Sequence, residues 1–370
     1  MEISITDPIF QTNIFITIFL AIVLFTTKKD ESRHEMLLSH TSEMKGLAML
    51  MVLFCHIGYF LFKDPRFLFP LSVDGGVGVN IFLFLSGFGI TISMLKKPLT
   101  PGDFYLKKLP GLYVPMWVIL VVFLTIDALI LHIYYPSTLV LKNFLGFFPQ
   151  ADIFGDLNSP LWYFSWMVFY YFVFPLVFYK KKPYFSALII FLASLFLVHF
   201  RLPINEDVQK LYELHTLAFP LGMVFAYFIS KKPLSDLKQD LYALRESHKK
   251  ALKIFRYFAV FILVAVFAYT SIHSGVGKSV LREQALSIIT TLSIILLFLL
   301  KRYKSDFLVL LGIYSYEIYL LQWPILYRYD FIYKYFPAGD GTMMYLLILA
   351  ILGMGLNKFT KIITSEKQRT

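Results

Sequence analysis

Runs of apolar residues recur from one end of this chain to the other, each close to the roughly 20 residues that a helix needs to cross a bilayer. In lipid every backbone N–H and C=O must find a partner within the protein, so such runs form helices packed side by side. Eleven spans are expected, at about 8–27, 45–62, 76–95, 112–134, 161–179, 184–200, 211–230, 255–273, 284–300, 307–327 and 343–360. Pro115, Pro175, Pro220 and Pro324 fall inside them and are expected to kink helices or mark their ends. The fold class is therefore all-α, a polytopic membrane helical bundle. No long polar insert separates two halves, so residues 1–370 read as one integral-membrane domain, without an internal repeat.

Charge tests this layout. The chain carries a net charge of +11, with 35 Lys and Arg against 24 Asp and Glu, on a composition that is 58% hydrophobic with mean hydropathy +0.66. Segments on one side of the bundle hold 26 basic residues and those on the other hold 9, which accounts for all 35. The excess alternates through the whole chain, as expected when basic loops stay cytoplasmic. It points to an N-terminus outside, a C-terminus in the cytoplasm, and a multi-pass protein of the cell (plasma) membrane. Membrane lipids are thus the partners of the positive charge, and nucleic acid is not expected. The first span has no basic stretch before it and no small-residue cleavage site after it, so it reads as a retained helix. The sole cysteine, Cys55, lies in an apolar run and carries no disulfide.

The most basic loop, 231–256, spaces Leu234, Leu237, Leu241 and Leu244 at helical intervals among its lysines. It reads either as a helix lying on the inner membrane surface or as a plain topogenic loop. The loop 135–160 is nearly uncharged, with Asn143, Gln150, Asp152, Asp156 and Asn158, and either covers a site or simply connects.

Ionisable residues inside a bilayer are costly and mark function first. Here they are His56, Asp127, His132, His199, Glu317 and Lys45. Lys45 and His56 are eleven residues apart, which on a helix is 20° past three full turns and roughly 16 Å along the axis. They share one face. With Lys45 at the membrane surface, His56 lies near mid-membrane. Two further stretches stand out. The segment 74–90 combines Gly75, Gly76, Gly78, Gly87 and Gly89 with Asn80 and Ser86, and serves either close helix packing or a ligand against the backbone. The segment 104–115 carries Lys107 and Lys108, which either enforce topology or bind phosphate. The chain has no phosphate-binding glycine loop, no dinucleotide fingerprint, no metal-ligand cluster and no soluble-hydrolase serine motif. Nucleotide hydrolysis and metal chemistry are not expected.

Together these stretches resemble the membrane acyltransferase-3 family. The resemblance rests on Lys45-Gly46 leading to His56, on the glycine-rich 75–88 ending in Ser-Gly-Phe, and on the basic pair before Pro115. It continues in Ser159-Pro-Leu-Trp-Tyr-Phe-Ser-Trp and in 311–325, which contains Tyr314-Ser-Tyr-Glu-Ile-Tyr. Five elements in one order cover about 41–363. The first span then precedes a ten-helix core. The resemblance implies transfer of an acyl group, commonly acetyl, from cytoplasmic acetyl-CoA or another acyl-CoA to a hydroxyl of a carbohydrate or lipid-linked glycan, as in O-acetylation of a cell-envelope polysaccharide. By that resemblance His56 is the base or acyl relay, and Lys45, Lys107 and Lys108 serve the donor. Glu317 joins His56 and Lys45 as a catalytic candidate, and Ser86, Asn80, Trp162 and Gln322 are the expected substrate contacts. No metal is expected, and a homo-oligomer is left open. The chain departs from the family pattern at three places: lysine stands for arginine at 45, Gly111 stands where a second fourth-span cation is expected, and Gln322 stands for a histidine. No esterase-like domain follows the last span, so transfer is expected to be completed within one bundle. Two other classes compete: a proton-coupled transporter or flippase for a glycolipid or small organic anion, and a non-catalytic scaffold of glycan assembly.

Overall fold

A computed structural model describes residues 3, 5–29, 36–150, 158–200, 204–231, 249–274, 279–301, 303–329 and 331–366. The leucines of the proposed surface helix at 234, 237, 241 and 244, and the loop residues Asp152 and Asp156, lie outside the described residues.

The chain is an all-α helical bundle. In chain order its helices are α1 (Pro8–Phe25), α2 (Met36–Cys55), α3 (Gly75–Lys96), α4 (Pro101–Ile126), α5 (Ser137–Phe144), α6 (Trp162–Val177), α7 (Pro183–His199) and α8 (Glu206–Leu214). They continue with α9 (Ala218–Lys231), α10 (Lys249–His273), α11 (Val280–Leu300), α12 (Asp306–Ile313), α13 (Ser315–Trp323) and α14 (Ala338–Glu366). Among the described residues the strands are one antiparallel pair of three residues each, β1 (Thr27–Lys29) and β2 (Tyr303–Ser305), with Thr27 opposite Ser305.

Among the described residues eight helices are long and apolar enough to cross a membrane, nine when one bent pair counts as a single span. The expected eleven spans thus map onto the helices unevenly. The span expected at 184–200 is the 17-residue α7, short for a bilayer. The span expected at 45–62 corresponds to α2, which begins nine residues earlier, at Met36, and is not among the eight. Lys45 therefore lies about 14 Å inside α2 rather than at its start. The span expected at 307–327 is broken: α12 and the continuation Ser315–Arg328 meet at 69°.

The close packing of α2 and α3 follows from their glycines. A Cβ on Gly46 would overlap the Leu308 carbonyl, and one on Gly312 would overlap the Ser42 carbonyl, so α2 and α12 touch backbone to backbone. Gly87 and Gly222 bring α3 and α9 together in the same way, against the carbonyls of Phe219 and Phe84. Small residues at such crossings allow van der Waals contact that larger side chains would prevent. Helix α2 contributes to two apolar clusters, one around Met49, Leu53 and Ile318 and one, shared with α3, around Ala48, Ile81 and Phe84.

Helix α1 is tied at both ends. Lys28 Nζ lies 2.6 Å from Asp306 Oδ2 beside the β1–β2 pair. At the other end Thr12 Oγ1 accepts from the Leu68 backbone N–H at 2.9 Å, and the Gly339 N–H donates to Gln11 Oε1 at 3.0 Å.

Candidate functional site

A cavity of about 230 Å³ opens inside the bundle, bounded by α2, α3, α4, α6 and α13. Lys45, Ser86 and Lys108 line it, with Gly111, Tyr163, Tyr171, Ser315 and Tyr319 among the remaining wall. Lys45 keeps an exposed side chain deep in α2 because this space borders it. Neither lysine has a carboxylate or hydrogen-bond partner among the described residues, and the same holds for the hydroxyls of Ser86, Tyr163 and Tyr171. Two cations and three hydroxyls thus converge on one apolar-walled space with no partner among the described residues.

Local sequence explains the wall. Pro115 lacks the N–H that would bond the Gly111 carbonyl four residues earlier, so α4 is missing one of its helical hydrogen bonds beside the cavity. A Cβ on Gly111 would meet nothing within 4 Å, so the missing side chain leaves open volume there. The break at Tyr314 starts a new helix, α13, whose first residue Ser315 lines the cavity. The free N–H groups of that first turn add positive potential to the two lysines. Helix α13 is held by the Tyr316 hydroxyl on the Leu112 carbonyl and the Tyr319 hydroxyl on the Pro160 carbonyl.

His56 does not line this cavity. It follows the last α-helical residue of α2 and opens a π-helical turn, His56–Leu61. Its Nδ1 lies 2.9 Å from Gln322 Oε1. The Trp323 ring meets it edge-on at 5.0 Å. Pro324 opens a second π-helical turn, Pro324–Arg328, directly after Gln322 and Trp323. Such turns are common where a helix must aim a side chain off its regular register. Here proline also frees the Leu320 carbonyl, and Asn158 Nδ2 donates to it at 2.9 Å. Lys45 lies on α2 and lines the cavity, whereas His56 follows the end of α2 and does not. The pair spans two adjoining sites: a cationic cavity, and a histidine beyond it.

The remaining expected residues divide. Gln322 contacts His56. Lys107 is exposed on α4, facing away from the cavity that Lys108 lines. Glu317 is buried and accepts from Asn357 Nδ2 at 2.6 Å, on a different side of α13 from Ser315 and Tyr319. Asp127 is buried in an ion pair with Arg328 and accepts from the Tyr135 and Tyr329 hydroxyls, so it ties α4 to the turn after α13. His132 and His199 are exposed.

Asn80 and Trp162 belong to a third group, around His215, which sequence reasoning passed over. His215 Nδ1 lies 2.8 Å from Asn80 Oδ1, Asn80 Nδ2 donates to Ser287 Oγ at 2.6 Å, and Trp162 stacks on the imidazole at 5.6 Å. The available signal was the one that singled out His56: an ionisable side chain within an apolar run, here the span expected at 211–230. Among the described residues no group of three or more His, Cys, Asp and Glu side chains is placed to hold a metal ion.

Residues 44–356 match the family model described as an acyltransferase domain. No curated protein and no solved structure matches the chain.

Proposed function

The chain belongs to the acyltransferase-3 family, and on that premise we propose that it moves an acyl group, in the first instance acetyl, from cytoplasmic acyl-CoA to a hydroxyl of a carbohydrate or lipid-linked glycan. One observation carries this reading: Lys45 and Lys108, from two helices, face one cavity inside a membrane bundle with no pairing anion among the described residues. An unpaired cation at that depth is costly, and an anionic substrate offsets the cost.

The phosphates of acyl-CoA dock at the mouth of the cavity, beside Lys108. The pantetheine arm passes Ser86, Tyr163 and Tyr171, whose hydroxyls meet its amides. Lys45 and His56 lie roughly 16 Å apart along the helix axis, a length the arm spans. At His56 the acceptor hydroxyl gives up its proton as its oxygen bonds to the thioester carbon. The carbon–sulfur bond then breaks, and the CoA thiolate leaves and takes up a proton. The products are the O-acyl ester and free CoA, with no net change of charge beyond the incoming substrates.

The test uses purified protein in proteoliposomes, with thiol release from acetyl-CoA and ester formation on a supplied glycan followed together. His56→Ala should lower transfer by about 10²- to 10⁴-fold, the usual contribution of a positioned base. Full transfer by His56→Ala would end the reading. Movement of a labelled glycolipid across the bilayer without any acyl donor would favour the transporter class instead.

A further inference from the structure

We propose that Gln322 is a positioning residue that selects the tautomer of His56, holding the proton on Nδ1 so that Nε2 is the ring's proton acceptor. The proposal rests on the reading of His56 as the base and deepens it.

The geometry is direct. Gln322 Oε1 lies 2.9 Å from His56 Nδ1, and an amide oxygen only accepts hydrogen bonds. Nδ1 therefore carries the hydrogen, and the lone pair resides on Nε2. Gln322 is wholly buried, and its own Nε2 has no hydrogen-bond partner among the described residues. The backbone around it is fixed instead. The Tyr345 hydroxyl donates to the Gln322 carbonyl at 2.6 Å. One turn earlier, Asn158 holds the Leu320 carbonyl that Pro324 leaves unpaired. Trp323, the next residue, closes on the imidazole edge. Residues 320–323 thus form a rigid bracket that meets the reacting ring with an amide oxygen on Nδ1 and an indole against its edge.

The choice of an amide has a chemical consequence. A carboxylate on Nδ1 would fix the same tautomer and also stabilise the imidazolium. An amide fixes the tautomer while leaving the ring neutral, which suits a site where a lasting buried charge is expensive. His56 then passes its proton on within the transfer step rather than storing it.

The experiment is ¹⁵N NMR of protein labelled at the histidine rings, with the His56 signals assigned by their loss in His56→Gln. The wild-type spectrum should show a protonated Nδ1 and an unprotonated Nε2. Gln322→Leu should lose this bias and move toward the tautomer that free imidazole side chains prefer, with Nε2 protonated. In the acyl-transfer assay Gln322→Leu should lower kcat by at least about tenfold while the KM for acyl-CoA stays near its wild-type value. Gln322→Glu should restore the tautomer and shift the acidic limb of the pH–rate profile up by about one unit or more, because a carboxylate favours the imidazolium. A wild-type spectrum with protonated Nε2 overturns the proposal, as does a Gln322→Leu spectrum that matches wild type. Should Gln322→Leu fail to fold, the wild-type and Gln322→Glu spectra decide. The spectra need no turnover. An Nδ1-protonated His56 in a protein without acyl transfer would refute the proposed function and leave this inference standing.

Discussion

Lys108 reaches the cavity and Lys107 does not, although the two are neighbours in sequence. On a helix consecutive side chains point 100° apart, so a basic pair cannot put both charges into one small space. Lys108→Met should therefore raise the KM for acyl-CoA by roughly 10- to 100-fold, the equivalent of one charge-assisted hydrogen bond, while Lys107→Met changes it little; steady-state kinetics on the two variants checks this. The loop between α2 and α3 offers a separate titration. Hydrogen bonds from Arg66 hold the Asp64 carboxyl down at about 2. A carboxyl depressed in the folded state adds stability that is present above its unfolded value near 4 and is lost as pH falls toward 2. Asp64→Asn should melt slightly below wild type at pH 7, with the gap closing between pH 4 and pH 2. Because the pair is exposed, the gap should also shrink in high salt.

Among the elements, the bent pair α12–α13 is the one whose sequence reads most differently from its structure. As sequence, 307–327 is one apolar run. The 69° bend at Tyr314 is invisible to hydropathy, because breaking a helix at that point changes backbone hydrogen bonds and leaves side-chain polarity alone. The prolines were legible, but their use was not. Pro324 frees a carbonyl, and only the fold brings Asn158 to it, 162 residues away. Asn158→Ala should lower stability by about 1–3 kcal/mol, the cost of a buried acceptor left unpaired. The loss should be smaller in a Pro324→Ala background, where a backbone N–H returns to bond Leu320. Thermal unfolding of the single and double variants in detergent measures this coupling.

At the scale of the whole molecule, charge alternation and helix packing supply independent information. The first gives orientation: Lys97 and Lys334 are both exposed and fall on opposite sides of the expected topology. In a Cys55→Ala background, a cysteine at 334 should react with an impermeant thiol reagent added to intact cells, and one at 97 should react only after the membrane is opened. Equal labelling of both would reverse or void the orientation. The second shows what α1 does. It lies ahead of the matched residues 44–356, yet β1 pairs with β2 immediately before the broken helix, and Thr12 bonds the loop that follows His56. It straps the two segments that carry His56 and Gln322.

Some of this protein follows from its sequence alone. Membrane residence and the helical class come from local composition, because lipid forces backbone bonds to be made within each segment; the same medium makes every buried charge conspicuous, which is what marks Lys45 and His56 as candidates. Tertiary structure alone decided which of the polar residues meet. Lys45 joins Lys108 and Ser86, His56 joins Gln322, and Asn80 joins His215, because backbone contacts at Gly46, Gly87, Gly222 and Gly312 set the helix crossings. Those contacts lie between residues as distant in sequence as Ser42 and Gly312, and no local pattern of polarity records them.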